Sequence, residues 1–216
     1  MTGVQTCALP IFIGEDSYGV DFAVRNSAPS TAHIFGTDWM GRDMLARTVK
    51  GLSTSLIIGV CASLSSCVVA VIIGCACAIF GKKTDRFFLW LIDLFNGMPH
   101  LILLVLISIL VGKGAMGILI GVALTHWTTL SRIIRAEILS IKSEPYISIA
   151  RSLGTSKFRI ASRHILIHII PQFVVGVVLL FPHAILHEAG VTFLGFGLPP
   201  EEPAIGVILF KIVTAG

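Results

Sequence analysis

STSLIIGVCASLSSCVVAVIIGCACAIF, residues 53–80, carries no charged side chain along its whole length. A helix needs about 20 mainly apolar residues to cross the hydrocarbon core of a bilayer, and this stretch is long enough. Its Gly, Ala, Ser and Cys residues suit close helix packing in lipid, where small side chains let backbones approach. Three further stretches have the same character: Phe87–Val111, which contains Asp93 and Pro99; Ala115–Leu130, short and ending in His126 and Trp127; and Pro171 to about Gly190, which holds Pro182, His183, His187 and Glu188. A last run, Ala204–Ile212, starts like a span and meets Gly216 before it could cross. Of 216 residues, 55% are hydrophobic and only 13% charged, against about 25% charged in a soluble domain; mean hydropathy is +0.91. The expected fold is all-α: a polytopic membrane helical bundle, truncated, with four complete spans and part of a fifth. No polar linker divides it, so residues 53–212 form one membrane domain.

The remaining composition excludes several classes. Net charge is +4, but no basic run interleaved with aromatics is present, so nucleic acid is not an expected partner. Four of the five cysteines, Cys61, Cys67, Cys75 and Cys77, lie in one apolar stretch without the paired spacing of a zinc site; they read as small packing residues. Residues 1–12, MTGVQTCALPIF, fit neither a signal peptide nor a span. They resemble a translated sequencing-adapter scar, and we read them as non-native. The absence of a GxxxxGK[ST] phosphate loop leaves the chain without a nucleotide site of that kind.

Orientation follows from the cations, because short loops rich in Lys and Arg stay in the cytoplasm. Lys82, Lys83 and Arg86 follow the first span; Arg132, Arg135, Lys142, Arg151, Lys157, Arg159 and Arg163 lie between the third and fourth. Those two segments share one side, expected to be cytoplasmic, and residues 13–52 form an extracytoplasmic loop. Arg42, Arg47 and Lys50 also lie in that loop, partly offset by Asp38 and Asp43.

The cytoplasmic stretch EPYISIARSLGTSKFRIASRHILIHIIP, residues 144–171, reads as a short helix, a corner and a longer helix. Ser143 is positioned to cap the first helix, whose first turn contains Pro145; Gly154 can end it in a left-handed conformation, and Thr155 or Ser156 can cap the next. Tyr146, Ile149, Ala150 and Leu153 repeat at spacings of three and four, an apolar stripe. A helix this short is marginal alone in water. Its stripe can pack on the chain's own spans, in a partner's groove or on the lipid surface.

Ser148, Ile149, Ala150 and Gly154, followed by an apolar helix to Pro171, resemble the EAA loop of permease subunits of binding-protein-dependent ABC importers, with Ser148 where that family usually has Glu and Ile149 where it has Ala. HIFGTDWMGRDMLARTVKG, from His33, is similar to a motif of the dipeptide, oligopeptide and nickel permeases: Gly36, Thr37, Asp38, Gly41, Arg42, Asp43 and Arg47 match, and Ala46 replaces the usual Ser. TFLGFGLPP, residues 192–200, resembles that group's outer loop after the fifth span. The resemblance covers about residues 33–212 and implies that a first span and most of a sixth are missing. It implies an inner-membrane, multi-pass subunit that is not an enzyme and binds no cofactor. Its partners would be a homologous second permease, an extracytoplasmic solute-binding protein and two cytoplasmic ATPases that use ATP. In that family the loop around Gly154, within about residues 131–170, is the coupling helix; here it would comprise Tyr146, Ser148, Ile149, Ala150, Arg151, Leu153, Gly154 and Thr155. The cargo would be a di- or oligopeptide, or nickel.

Ionisable residues within spans are functional candidates because burying their charge is costly. His183 and His187 stand one helical turn apart with Glu188 adjacent, so two imidazoles can face a solute path and a passing metal, or can simply bond neighbouring carbonyls. Asp93, near the kink expected at Pro99, can face a water-filled path or serve as a hydrogen-bonded structural carboxylate. His100 and His126 read as packing or interfacial residues, and no metal set is assigned. Asp38, Arg42 and Asp43 suggest an ion-pair and capping network holding the loop onto the next span, or a dock for a binding protein. Two rivals differ in class. An intramembrane metallohydrolase would need HExxH, which HAILHE does not match; an ion-gradient-driven secondary transporter would show internal repeats, and none is evident.

Overall fold

Long uncharged runs must satisfy every backbone donor and acceptor internally in lipid, which makes helices the expected answer, and a computed structural model of the chain, describing residues 19–215, shows helices almost throughout. Among the described residues there is no strand, only an isolated antiparallel bridge between Thr37 and Asp43. Residues 1–12, read as non-native, lie outside the described residues.

Helix α1, Met44–Ile79, is 36 residues long, about 54 Å at 1.5 Å per residue. It begins nine residues before the uncharged run, because Asp43 caps it: its Oδ1 accepts the Ala46 amide at 2.9 Å. Its buried face is built from small residues, among them Gly59, Ala62, Ser63, Ser66, Cys67, Ala70 and Gly74. Ile57, Val60, Leu64, Val68 and Ile72 point outward. Small side chains inside and large ones outside is the arrangement that lipid favours over water. The approach is close enough for the Ser131 hydroxyl to reach the Ala70 carbonyl at 3.2 Å.

The second apolar stretch is not one straight span. It breaks into α2, Lys82–Asn96, and α3, His100–Val111, which meet at 98°. Gly97 ends α2, and Pro99, with no amide hydrogen to continue the ladder, starts α3. Each half falls short of the roughly 20 residues that a crossing requires. Three helices are long and apolar enough to span, or up to four if the bent pair counts as one.

The third stretch runs further than its apolar composition suggests. Helices α4, Ala115–Thr125, and α5, Trp127–Ser143, join at His126, so residues 131–143, expected in the coupling loop, continue the span as helix. A short α6, Pro145–Ser152, and α7, Lys157–Ile160, come next. A π-helical turn over Ala161–Ile165 leads into α8, Leu166–Phe193, which passes through Pro171 and Pro182 without ending. Helix α9 is Ile205–Ala215.

Two apolar clusters hold these elements. One joins α1, α2, α5 and α8 through Cys67, Ile92, Trp127, Ile134, Ile138 and Ile169; the other joins α1, α3, α4, α8 and α9 through Ile58, Leu104, Ile118, Ala184 and Val207. The ends of the bundle differ. At the start of α1, the Ile205 amide reaches Ser55 Oγ at 3.3 Å, the Lys211 ammonium lies 5.9 Å from the Trp39 ring centre, and Ser108 Oγ donates to the Phe196 carbonyl at 2.8 Å. At the far end, Lys142 Nζ donates to the Ala78 carbonyl at 2.7 Å, and Arg135 grips both oxygens of Asp85, one at 2.6 Å. The GTDxxGRD and LGFGLPP loops thus share one end, and the elbow at Gly154 occupies the other.

Candidate functional site

The elbow is a short helix held by Ile147 and by a ring contact of Tyr146 with His164, centres 5.6 Å apart. Ile147 is fully buried, while Tyr146, Ile149 and Leu153 are exposed, Leu153 by 80%. Of the stripe expected to pack, Ile149 and Leu153 therefore face away from the bundle while Tyr146 touches His164, and the fully buried anchor is a residue outside that stripe. Ala150 is half-buried, and Ser148 and Thr155 are exposed and half-buried respectively. Arg151 lies within the same helix. Gly154 sits at φ +79° with nothing within 4 Å of where a Cβ would stand, a conformation that glycine enters at no steric cost. Its corner is closed by the Thr155 amide donating to the Ala150 carbonyl at 3.0 Å. Ser156 Oγ then accepts from the Arg159 amide at 3.3 Å and caps α7. Ser143 does not cap α6: its hydroxyl donates back to the Ser140 carbonyl at 2.7 Å, a local bond that competes with capping.

At the opposite end, Asp38 organises the GTDxxGRD segment. Its Oδ2 accepts from Arg42 Nη2 at 2.7 Å, Arg42 Nε at 2.9 Å and Arg47 Nη1 at 3.3 Å, and its Oδ1 takes the Met40 and Arg42 amides at 2.9 and 3.0 Å. Both arginines are buried. Burial opposes the Asp38 charge, yet the Arg42 side chain and the two amides outweigh it and hold the carboxyl below its usual range. Asp43 is likewise depressed, burial being outweighed by the Ala46 amide and by His33, whose Nδ1 lies 2.8 Å away. Thr37 Oγ1 accepts the Ser27 amide at 2.9 Å and donates to the Val24 carbonyl. Gly41, at φ +75°, has the Asp21 carbonyl where a Cβ would sit; this close approach, together with the hydrogen bond that the Gly36 amide donates to the His33 carbonyl at 2.9 Å, folds the loop tightly against itself. Arg42 and Asp43 therefore spend their side chains on the loop's own frame.

The four residues assigned to a solute path do not converge. Glu188 is fully enclosed and accepts from Ser55 Oγ at 2.6 Å and Thr192 Oγ1 at 3.0 Å; it is neither interfacial nor turned to a path. Asp93 is exposed and paired with Arg132. His183 is exposed, with Nδ1 2.9 Å from the Leu179 carbonyl. His187 instead meets His100 and His126, which sequence reading took for packing residues: the three rings lie with centres 4.3 to 4.8 Å apart. No spacing rule could have found them, since they come from three separate elements. Beside them opens a cavity of about 400 Å³, lined among others by Asn96, Thr125, Thr128 and His183.

Comparison with known proteins identifies the family. Residues 70–214 match the model of the family described as "Binding-protein-dependent transport system inner membrane component". The dipeptide transport system permease protein DppC of Bacillus subtilis is 33% identical over 184 residues, which cover 85% of this chain and 58% of that protein. The oligopeptide transport system permease protein OppC of Mycobacterium tuberculosis is 31% identical over 208 residues, covering 95% and 72%. The chain spans about two thirds of the length of the curated relatives it matches. With the family match extending over more than half of its residues, the chain belongs to the binding-protein-dependent transport system inner membrane components.

Proposed function

We propose that the chain works as a transmembrane permease subunit of an ATP-driven importer in the cell's inner membrane. It forms part of the solute path and pairs with a second, homologous permease. The observation that carries this reading is the elbow: Ile149 and Leu153 face outward on a helix pinned by Ile147 and stopped at Gly154. An exposed apolar helix face is covered by lipid or by a partner's groove, and in this reading two cytoplasmic ATPases supply the groove. The basic end then lies inside the cell, consistent with the preference of Lys and Arg for the cytoplasmic side, and the GTDxxGRD end meets an extracytoplasmic binding protein. Hydrolysis of ATP belongs to the partner subunits, and this chain contributes movement rather than catalysis.

The cargo in this reading is a di- or oligopeptide. The names of DppC and OppC support peptide over nickel, and family membership supports an ATP-driven importer over a secondary transporter. Reconstitution of the chain with its second permease, ATPases and binding protein in liposomes tests the assignment. Labelled peptide should accumulate only with ATP and binding protein present. Uptake that persists without ATP and collapses with the ion gradient would overturn it.

A further inference from the structure

His100, His126 and His187 each offer a ring nitrogen, and these three atoms lie within 4.8 Å of one another. His100 is the first residue of α3, directly after the 98° break; His126 joins α4 to α5; His187 lies in α8. Hydrogen bonds fix the state of the central ring. The Nδ1 of His126 is 3.2 Å from the Val122 carbonyl, which can only accept, and 3.0 Å from Thr125 Oγ1, whose own hydrogen is directed to the Gly121 carbonyl at 2.9 Å. The proton therefore sits on Nδ1, and the Nε2 lone pair accepts from the Nε2–H of His100 at 3.1 Å; this is the tautomer and orientation that an outer-shell carbonyl gives a metal-binding histidine.

An ion takes the place of that shared hydrogen, the His100 proton moving to its own Nδ1. Two imidazole nitrogens bound tetrahedrally to one ion at about 2.0–2.1 Å stand about 3.3 Å apart, so this pair already has nearly the required separation, and the His187 nitrogen, within 4.8 Å of both, completes the set by moving up to about 1.5 Å closer. The nearby carboxylates are committed elsewhere, Glu188 to Ser55 and Thr192 and Asp93 to Arg132, so the donor set is three neutral imidazoles. Such a set suits zinc, nickel or copper and disfavours magnesium or calcium. The adjoining cavity leaves room for a fourth ligand such as water.

We propose that His100, His126 and His187 form a resident site for a divalent transition-metal ion of the zinc and nickel class, which ties the break between α2 and α3 to the α4–α5 junction and to α8. Because its ligands come from three elements of one chain, an ion there clamps the bend. Binding is read without ATP or cargo, so it stands or falls separately from the transport assignment.

The test uses the full chain in lipid nanodiscs, stripped with chelator and dialysed against Zn2+, with metal counted by mass spectrometry. Co2+ then serves as a second probe through its tetrahedral visible bands. One ion per chain is expected, with affinity reduced at least tenfold in His126→Gln and in His187→Gln, and unchanged in His168→Ala, whose side chain lies on an exposed part of α8. Thermal unfolding of both glutamine variants without metal should match the wild type, which separates lost ligation from lost folding. Wild-type protein that retains no Zn2+, or glutamine variants that retain it as well as wild type, would overturn the site.

Discussion

Ser55 and Glu188, 133 positions apart in the chain, meet across α1 and α8 in a 2.6 Å hydrogen bond between two fully buried side chains. The same carboxylate takes the Thr192 hydroxyl, and Thr192 Oγ1 in turn accepts the Leu198 amide at 3.2 Å. One acid thus ties the first span, the last long helix and the LGFGLPP loop into a single polar network. Removing it strands two buried hydroxyls, and each unsatisfied buried group costs about 1–3 kcal/mol. Glu188→Ala should lower the thermal unfolding midpoint of the chain in detergent. Glu188→Gln, which keeps an acceptor, should lower it less. Equal and small effects in both variants would show that the network contributes little.

Asp38 holds two buried arginines, and breaking a buried ion pair by removing one partner costs about 3 kcal/mol. Asp38→Asn should therefore loosen residues 19–47, seen as faster amide exchange there and not at the far end. The pH dependence has a definite sign. Asp38 and Asp43 both titrate below the ordinary value of 3.8 in the folded chain, so their contribution is complete above that pH. It disappears as pH falls through the depressed folded values. Protection in this loop, corrected for the intrinsic pH dependence of amide exchange, should be flat from neutrality down to about pH 4 and fall below it, with the fall absent in an Asp38→Asn, Asp43→Asn double variant.

The long apolar helices and the elbow were legible in the sequence because their signals are local. A run of uncharged residues, a glycine after a short amphipathic helix and a serine at the next cap each act within one or two turns. Ser143 misled because its hydroxyl had a nearer acceptor in the Ser140 carbonyl. Pro99 announced a bend, but the 98° angle depends on what the two halves pack against, including the 2.9 Å bond from Thr128 Oγ1 to Asn96 Oδ1 and the Phe95–Trp127 ring contact. The histidine cluster was invisible for a related reason: His100, His126 and His187 become neighbours only once α3, α4 and α8 are assembled. Sequence periodicity reports a face of one helix, whereas this site is made by the meeting of three elements.

Gly154 separates backbone strain from packing, since no atom stands within 4 Å of a Cβ added there. A β-branched residue at φ +79° costs about 1–3 kcal/mol locally and should be relieved by a change in the corner rather than by unfolding. Gly154→Val should leave the unfolding midpoint almost unchanged while abolishing co-purification with the ATPases and ATP-driven uptake. Retention of both would remove the elbow from the coupling role.

Adjacent positions of α6 should divide stability from coupling. Ile147 is fully buried against the core formed by α5 and the π-helical turn, and truncating a buried isoleucine to alanine costs about 2–5 kcal/mol. Ile147→Ala should therefore release α6, increasing amide exchange from residue 145 to residue 155. Ile149, two positions on and 60% exposed, makes no such contribution, and a surface change of this kind stays within about 0.5 kcal/mol. Ile149→Ala should keep the fold and the local exchange rates while weakening ATPase binding, because the apolar face it helps form is the one left uncovered in the isolated chain. If Ile149→Ala instead destabilised the chain as strongly as Ile147→Ala, the outward face would be a packing surface of the bundle itself, and the partner's groove would have to be sought elsewhere.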